Sequence, residues 1–243
     1  MTLDKFQPFS WMHAASLAGL LGLTLAAVAL RRRRAADAPP SRWEIAWVVF
    51  TVLLWIAVNG WQLLPGRYDP RYSLPLQICD LVSLAVPLAL LTSWRPLRAL
   101  LYFWGLALST QGILTPDLKE GPSRPQFWAF WIIHGAIIGT ALYDLAGRRY
   151  RPTWKDFRYA YVGSWVYFAL ILSFDLAFGY NYGYVGKSRP DQPSLIDFLG
   201  PWPQRLVAII LLVSGAMLLL LVPWEVARKL QRSKLEERGP CDT

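Results

Sequence analysis

The sequence predicts an all-α, polytopic membrane protein, a seven-transmembrane helix bundle with the N-terminus outside and the C-terminus cytoplasmic. Three observations lead there. Hydrophobic residues make up 54% of the chain, and the mean hydropathy is positive. The charged residues, 17% of the total, fall mostly between apolar runs. Those runs are each about 20 residues long, the length that carries a helix across hydrocarbon at 1.5 Å per residue. This is the pattern of a chain that crosses a bilayer repeatedly, not of a water-soluble domain.

Trp11 to Leu30 forms the first span, followed by Arg31-Arg32-Arg33-Arg34. A secretory leader carries its positive charge before the apolar core, so this helix is expected to remain uncleaved. Ala35 to Ser41, with Pro39-Pro40, is a linker. Trp43 to Leu64 is the second span, polar at its end through Asn59 and Gln62, and Pro65-Gly66 turns the chain. Ser73 to Thr92 is the third, with Pro75 in its first turn and an expected kink at Pro87. Leu97 to Leu114 is the fourth, ending in Ser109-Thr110-Gln111 and broken by Thr115-Pro116-Asp117.

Gln126 to Leu145 is the fifth span. It carries His134 and then Gly135 and Gly139, a spacing that lets helices approach closely. Asp156 to Phe178 is the sixth and Gln204 to Pro223 the seventh, separated by a long aromatic, Gly/Pro-rich loop. Residues 1–10 thus form an extracytoplasmic N-terminus, 11–224 the membrane domain, and 225–243 a charged cytoplasmic tail. Of the 25 Lys and Arg, 17 lie in segments 31–42, 93–98, 147–158 and 225–243, and 8 in the alternate segments. The positive-inside rule places the first set in the cytoplasm, at a bacterial plasma membrane.

The same rule accounts for the net charge of +9, so no nucleic-acid partner is expected. Cys79 and Cys241 belong to different membrane levels, which argues against a disulfide. No Lys falls within a span, which excludes a retinal Schiff base. No Gly-rich phosphate loop is present, and neither a metal nor a cofactor is expected.

The chemistry centres on Gln77-Ile78-Cys79-Asp80. An amide, a thiol and a carboxylate stand together where an apolar helix begins, and ionisable groups in lipid face a protein interior or a wet cavity. Counting from the outer face puts Cys79 about 5 residues, or 8 Å, in, and His134 about 12 Å in. Asn59, Gln111 and Asp175 fall near the same face, and the inner halves of the helices look aliphatic. A polar cavity in the outer half is therefore expected. Each residue also has a plain role: Cys79 as a small hydrophobe, His134 as an interhelical hydrogen-bonder, Asp80 as a partner for Arg67 or Arg71. Brought together, a thiol and an imidazole form a nucleophile and its base, and an ester substrate then gives an acyl-enzyme. Gln77, Asn59 or Gln111 would supply oxyanion donors. Asp80, Asp117 or Asp175 would orient the imidazole, and the residues alone do not choose among them.

The segment Leu74-Pro75-Leu76-Gln77-Ile78-Cys79-Asp80-Leu81, with Tyr102-Phe103-Trp104-Gly105, Leu114-Thr115-Pro116-Asp117 and His134-Gly135, resembles the YwaF-type bacterial integral membrane proteins. These are similar to the eukaryotic transmembrane protein 164, an acyltransferase of ether phospholipids, and distantly to the androgen-induced-gene-1 type lipid hydrolases. The resemblance covers roughly residues 40 to 225. It implies a catalytic cysteine at Cys79 and a histidine at His134. Family members often carry a His two residues before the cysteine; here Gln77 stands there. Gln donates hydrogen bonds but carries no proton at neutral pH, which leaves His134 as the base. The expectation is a membrane thiol acyltransferase or hydrolase acting on phospholipid. The alternative is a transporter, receptor or scaffold whose outward polar cavity only binds.

Overall fold

The computed structural model describes residues 4–35, 38–187 and 195–237. Cys241 lies outside them. The chain is all-α and polytopic: α1 (Trp11–Arg32), α2 (Arg42–Gln62), α3 (Ile78–Thr92), α4 (Arg95–Phe103), a π-turn (Trp104–Leu108), α5 (Thr110–Leu114), α6 (Pro125–Ala146), α7 (Trp154–Phe178) and α8 (Arg205–Glu237). Of these, α1, α2, α6, α7 and α8 are long and apolar enough to cross a membrane, and α3 is a shorter apolar helix.

Helix starts follow from capping chemistry. Ser41 and Glu44 form a reciprocal box, Ser41 N donating to Glu44 Oε2 at 2.7 Å and Glu44 N to Ser41 Oγ at 3.3 Å. Thr153 and Asp156 repeat it on α7. Pro125 starts α6, where its missing N–H costs nothing.

Two expectations shift. The third helix begins at Ile78, not Ser73. Pro75 therefore precedes the helix, and Asp80 Oδ2 caps it by accepting from Gln77 N at 3.1 Å. The last helix runs through Pro223 as far as Glu237, so the charged tail continues the span.

Helix α6 is the hub and touches α1 through α5. Its glycines set the spacing to α1: a Cβ on Gly135 would fall 2.5 Å from Leu20 Cδ1, and one on Gly139 2.9 Å from Thr24 Oγ1. Val82, Val86, Leu101, Phe103, Ile137 and Ala141 fill the centre. Leu23, Leu170, Leu211 and Leu219 stand exposed on the outside, a perimeter suited to acyl chains rather than water.

The cytoplasm-directed ends are not simply aliphatic, which corrects the sequence expectation. Glu44 pairs with Arg34 at 3.0 Å and lies 3.7 Å from Arg31. Asp144 takes Arg98 through two hydrogen bonds of 2.8 and 2.9 Å, and Asp156 takes Arg95 at 2.7 Å. Burial depresses the Arg148 guanidinium below its usual range while Asp144 partly offsets it.

Candidate functional site

Cys79 occupies the second position of α3, within the first helical turn, so it sits at the mouth of a helix rather than deep along one. Four amide donors at such a mouth lack intrahelical acceptors. Those of Asp80 and Leu81 return to the Gln77 carbonyl at 3.0 and 3.4 Å. The amides of Ile78 and Cys79 are the remaining two.

Opposite lies the break in the fourth helix. Ser109 N bonds to Trp104 O at 2.9 Å, five residues back, and Thr110 Oγ1 reaches Gly105 O at 3.4 Å. This wider turn adds a residue to the helix, a distortion found often at functional sites. It leaves Ser109 fully buried with its hydroxyl 3.6 Å from Cys79 Sγ.

His134 approaches from α6, and its side chain is in contact with Cys79. Its Nδ1 lies 2.9 Å from the Phe130 carbonyl oxygen. A carbonyl only accepts, so Nδ1 carries the proton and Nε2 holds a lone pair. The Phe130 ring lies against the imidazole at 4.2 Å between centroids. On the Nε2 side there is room only because residue 112 is Gly: a Cβ there would fall 2.7 Å from Nε2.

A model of the TMEM164 family matches residues 8–221. The chain belongs to the TMEM164 family. No curated protein and no solved structure matches it.

In this TMEM164 family member the other sequence candidates divide. Asn59 Nδ2 donates to the Trp55 carbonyl at 2.9 Å within its own helix. Gln111 is exposed and its amide donates to Thr115 Oγ1. Neither is aimed at the thiol. Gln77 lies beside it as the residue before α3, and its Oε1 accepts from Gly183 N at 3.0 Å. Among the described residues no carboxylate bonds the imidazole; the Phe130 carbonyl orients it instead. Asp80 is occupied by its cap, and its carbonyl takes Trp55 Nε1 at 3.1 Å. Asp175 is buried and accepts from Tyr182 N at 3.0 Å. Asp117 is exposed beside Tyr184, whose hydroxyl is pushed up by burial and by that carboxylate. Arg71 pairs with Asp69, and Arg67 stacks on Trp61 at 4.1 Å, so neither takes Asp80.

His13 is structural. It accepts from Phe9 N at 2.9 Å and donates to the Ile113 carbonyl at 2.7 Å, tying the start of α1 to α5.

A loop closes over the mouth of α3. Tyr182 is fully buried, and its hydroxyl donates to Pro70 O at 2.7 Å and accepts from Leu74 N at 3.1 Å. Burial pushes that phenol up to about 12. Gly183 has φ 59°, and a Cβ there would meet the Tyr167 hydroxyl at 2.7 Å. That hydroxyl donates to Leu76 O at 2.9 Å. Ser109, Gly112, the Phe130 carbonyl and Tyr167 are the site residues that sequence reasoning missed. The run Ser109-Thr110-Gln111-Gly112, small and polar at the end of an apolar helix, was the one readable signal for the first two.

Proposed function

We propose that this chain is a membrane thiol acyltransferase or lipid hydrolase acting on phospholipid. The observation that carries the reading is the contact of Cys79 with an imidazole whose Nδ1–H is committed to Phe130 O, leaving Nε2 as a base. In the proposed cycle Nε2 takes the thiol proton and the sulfur adds to an ester carbonyl carbon. The developing oxyanion is received by the Ile78 and Cys79 amides at the mouth of α3, where the helix dipole also favours negative charge. The carbon–oxygen bond then breaks. The leaving lysolipid oxygen takes the proton from His134, and the acyl group stays on sulfur as a thioester. A lysolipid hydroxyl, or water, reverses these steps and frees Cys79.

Membership of the TMEM164 family supports this, and the YwaF-type motif around Cys79 belongs to the same proposal. So does a seven-span topology with the N-terminus outside. Its support is the five long helices, α3, and the continuous stretch α4–π-turn–α5 over 95–114, with the basic residues weighted to one side.

The test is phospholipid turnover by the purified chain, with mass spectrometry of the Cys79 peptide after an acyl donor is added. The expected result is an acyl adduct on Cys79 that His134→Ala abolishes. Undiminished turnover in Cys79→Ser overturns the assignment.

A further inference from the structure

Helices α1 and α2 both lean on α6 and leave between them a groove of about 1160 Å³. Gly135 and Gly139 form part of its floor, Gly19 and Leu23 part of one wall, Trp47 and Phe50 part of the other. It runs from Trp11 and Trp128 at one end to Arg31, Arg34 and Glu44 at the other. Along α1 that is about 30 Å, the thickness of a bilayer's hydrocarbon core. The chemistry of its two ends differs. Tryptophans mark the first. The second adjoins the stretch from Arg31 to Glu44, which holds five arginines against two carboxylates.

We infer that this groove is a binding site for a diacyl phospholipid with an anionic headgroup. Its acyl chains lie along the glycine floor, and its phosphate faces the arginine-rich end. Charge complementarity chooses this occupant: the wall is apolar along its length, and the excess positive charge is confined to one end, as for anionic lipid recognition beside a span. The bound lipid is distinct from the reacting one. Gly135 and Gly139 face α1, whereas His134 faces Gly112 of α5, so α6 stands between groove and thiol. The headgroup end is also opposite the end that holds Cys79, because His13 at the start of α1 bonds to Ile113, close in the chain to Ser109. The lipid would complete the packing of α1 and α2 against α6, which the protein alone leaves open.

The experiment is native mass spectrometry of the full chain in mild detergent with equal phosphatidylglycerol and phosphatidylcholine. The expected result is retained phosphatidylglycerol, favoured about fivefold, the contribution of one basic residue at a membrane surface. A Cβ at Gly19 meets nothing within 4 Å, so Gly19→Phe fills the groove without pressing on protein. It is expected to lower retained lipid about tenfold, since the acyl chains lose their apolar contact, with helical content unchanged by circular dichroism. Arg34→Gln is expected to keep the lipid and flatten the headgroup preference. Equal retention of the two lipids by the unaltered chain overturns the inference, as does full retention by a folded Gly19→Phe. A lipid-free dimer covering the groove would overturn it too.

Discussion

The two ends of this bundle spend their polar groups differently. At the end holding Arg98, Asp144, Arg95 and Asp156, charge meets charge: Asp144 and Asp156 are almost wholly buried, and each accepts two bonds from an arginine. At the end holding Cys79 and His134, side chains bond to backbone. His134 takes Phe130 O, Asp80 takes Gln77 N, and Gln77 takes Gly183 N. Backbone partners fix a side chain on one side and leave its other valence unspent, so the imidazole keeps a lone pair. Closed ion pairs hold helices; half-committed groups are the ones placed to react.

Substitutions test that contrast. The largest effect should come from the reactive pair: Cys79→Ser or His134→Ala is expected to cut phospholipid turnover by about 10³-fold, the range for losing a general base or its nucleophile, with helical content retained. At the opposite end Asp144→Asn should cost about 3–5 kcal/mol by leaving Arg98 without its buried partner. Thermal unfolding in detergent measures this, and turnover per folded molecule should stay unchanged. A turnover loss there as deep as that of His134→Ala would erase the distinction between the ends.

Gly112→Ala is the sharper probe of geometry. The added methyl must displace the ring it would meet at 2.7 Å, and a misplacement of about 1 Å costs about 10² in rate. Ser109→Ala should slow Cys79 acylation by about fivefold, the value of one hydrogen bond, read by single-turnover mass spectrometry. The smallest effect is expected from Gln77→Leu, which releases Gly183 and should lower loop stability by about 1 kcal/mol, seen as faster amide exchange over 180–186.

The bilayer made the architecture legible: with no water to satisfy peptide groups, long apolar runs must be helices. Cys79 and His134 were legible for the complementary reason, since polar groups in such helices are costly and stand out. The start of α3 was misjudged although Gln77 and Asp80 carried a cap spacing, because Ser73 to Leu76 is apolar enough to pass for helix. Asn59 and Gln111 were chosen by level in the membrane. Their bonds to Trp55 and Thr115, four residues away along the chain, depend on rotation about the helix axis, which composition does not report. The orienting group of His134 could not be read at all, because it is a backbone carbonyl and every residue has one.

The widened turn at Trp104–Leu108 makes the site vulnerable to a change in length rather than in chemistry. Removing a single residue there would restore regular winding and swing everything beyond it by about 100°. Ser109 would turn from the sulfur and Gly112 from the imidazole, although every functional group would still be encoded. Insertions and deletions in this short stretch are therefore the lesions to examine first when a relative retains the cysteine and histidine yet lacks activity.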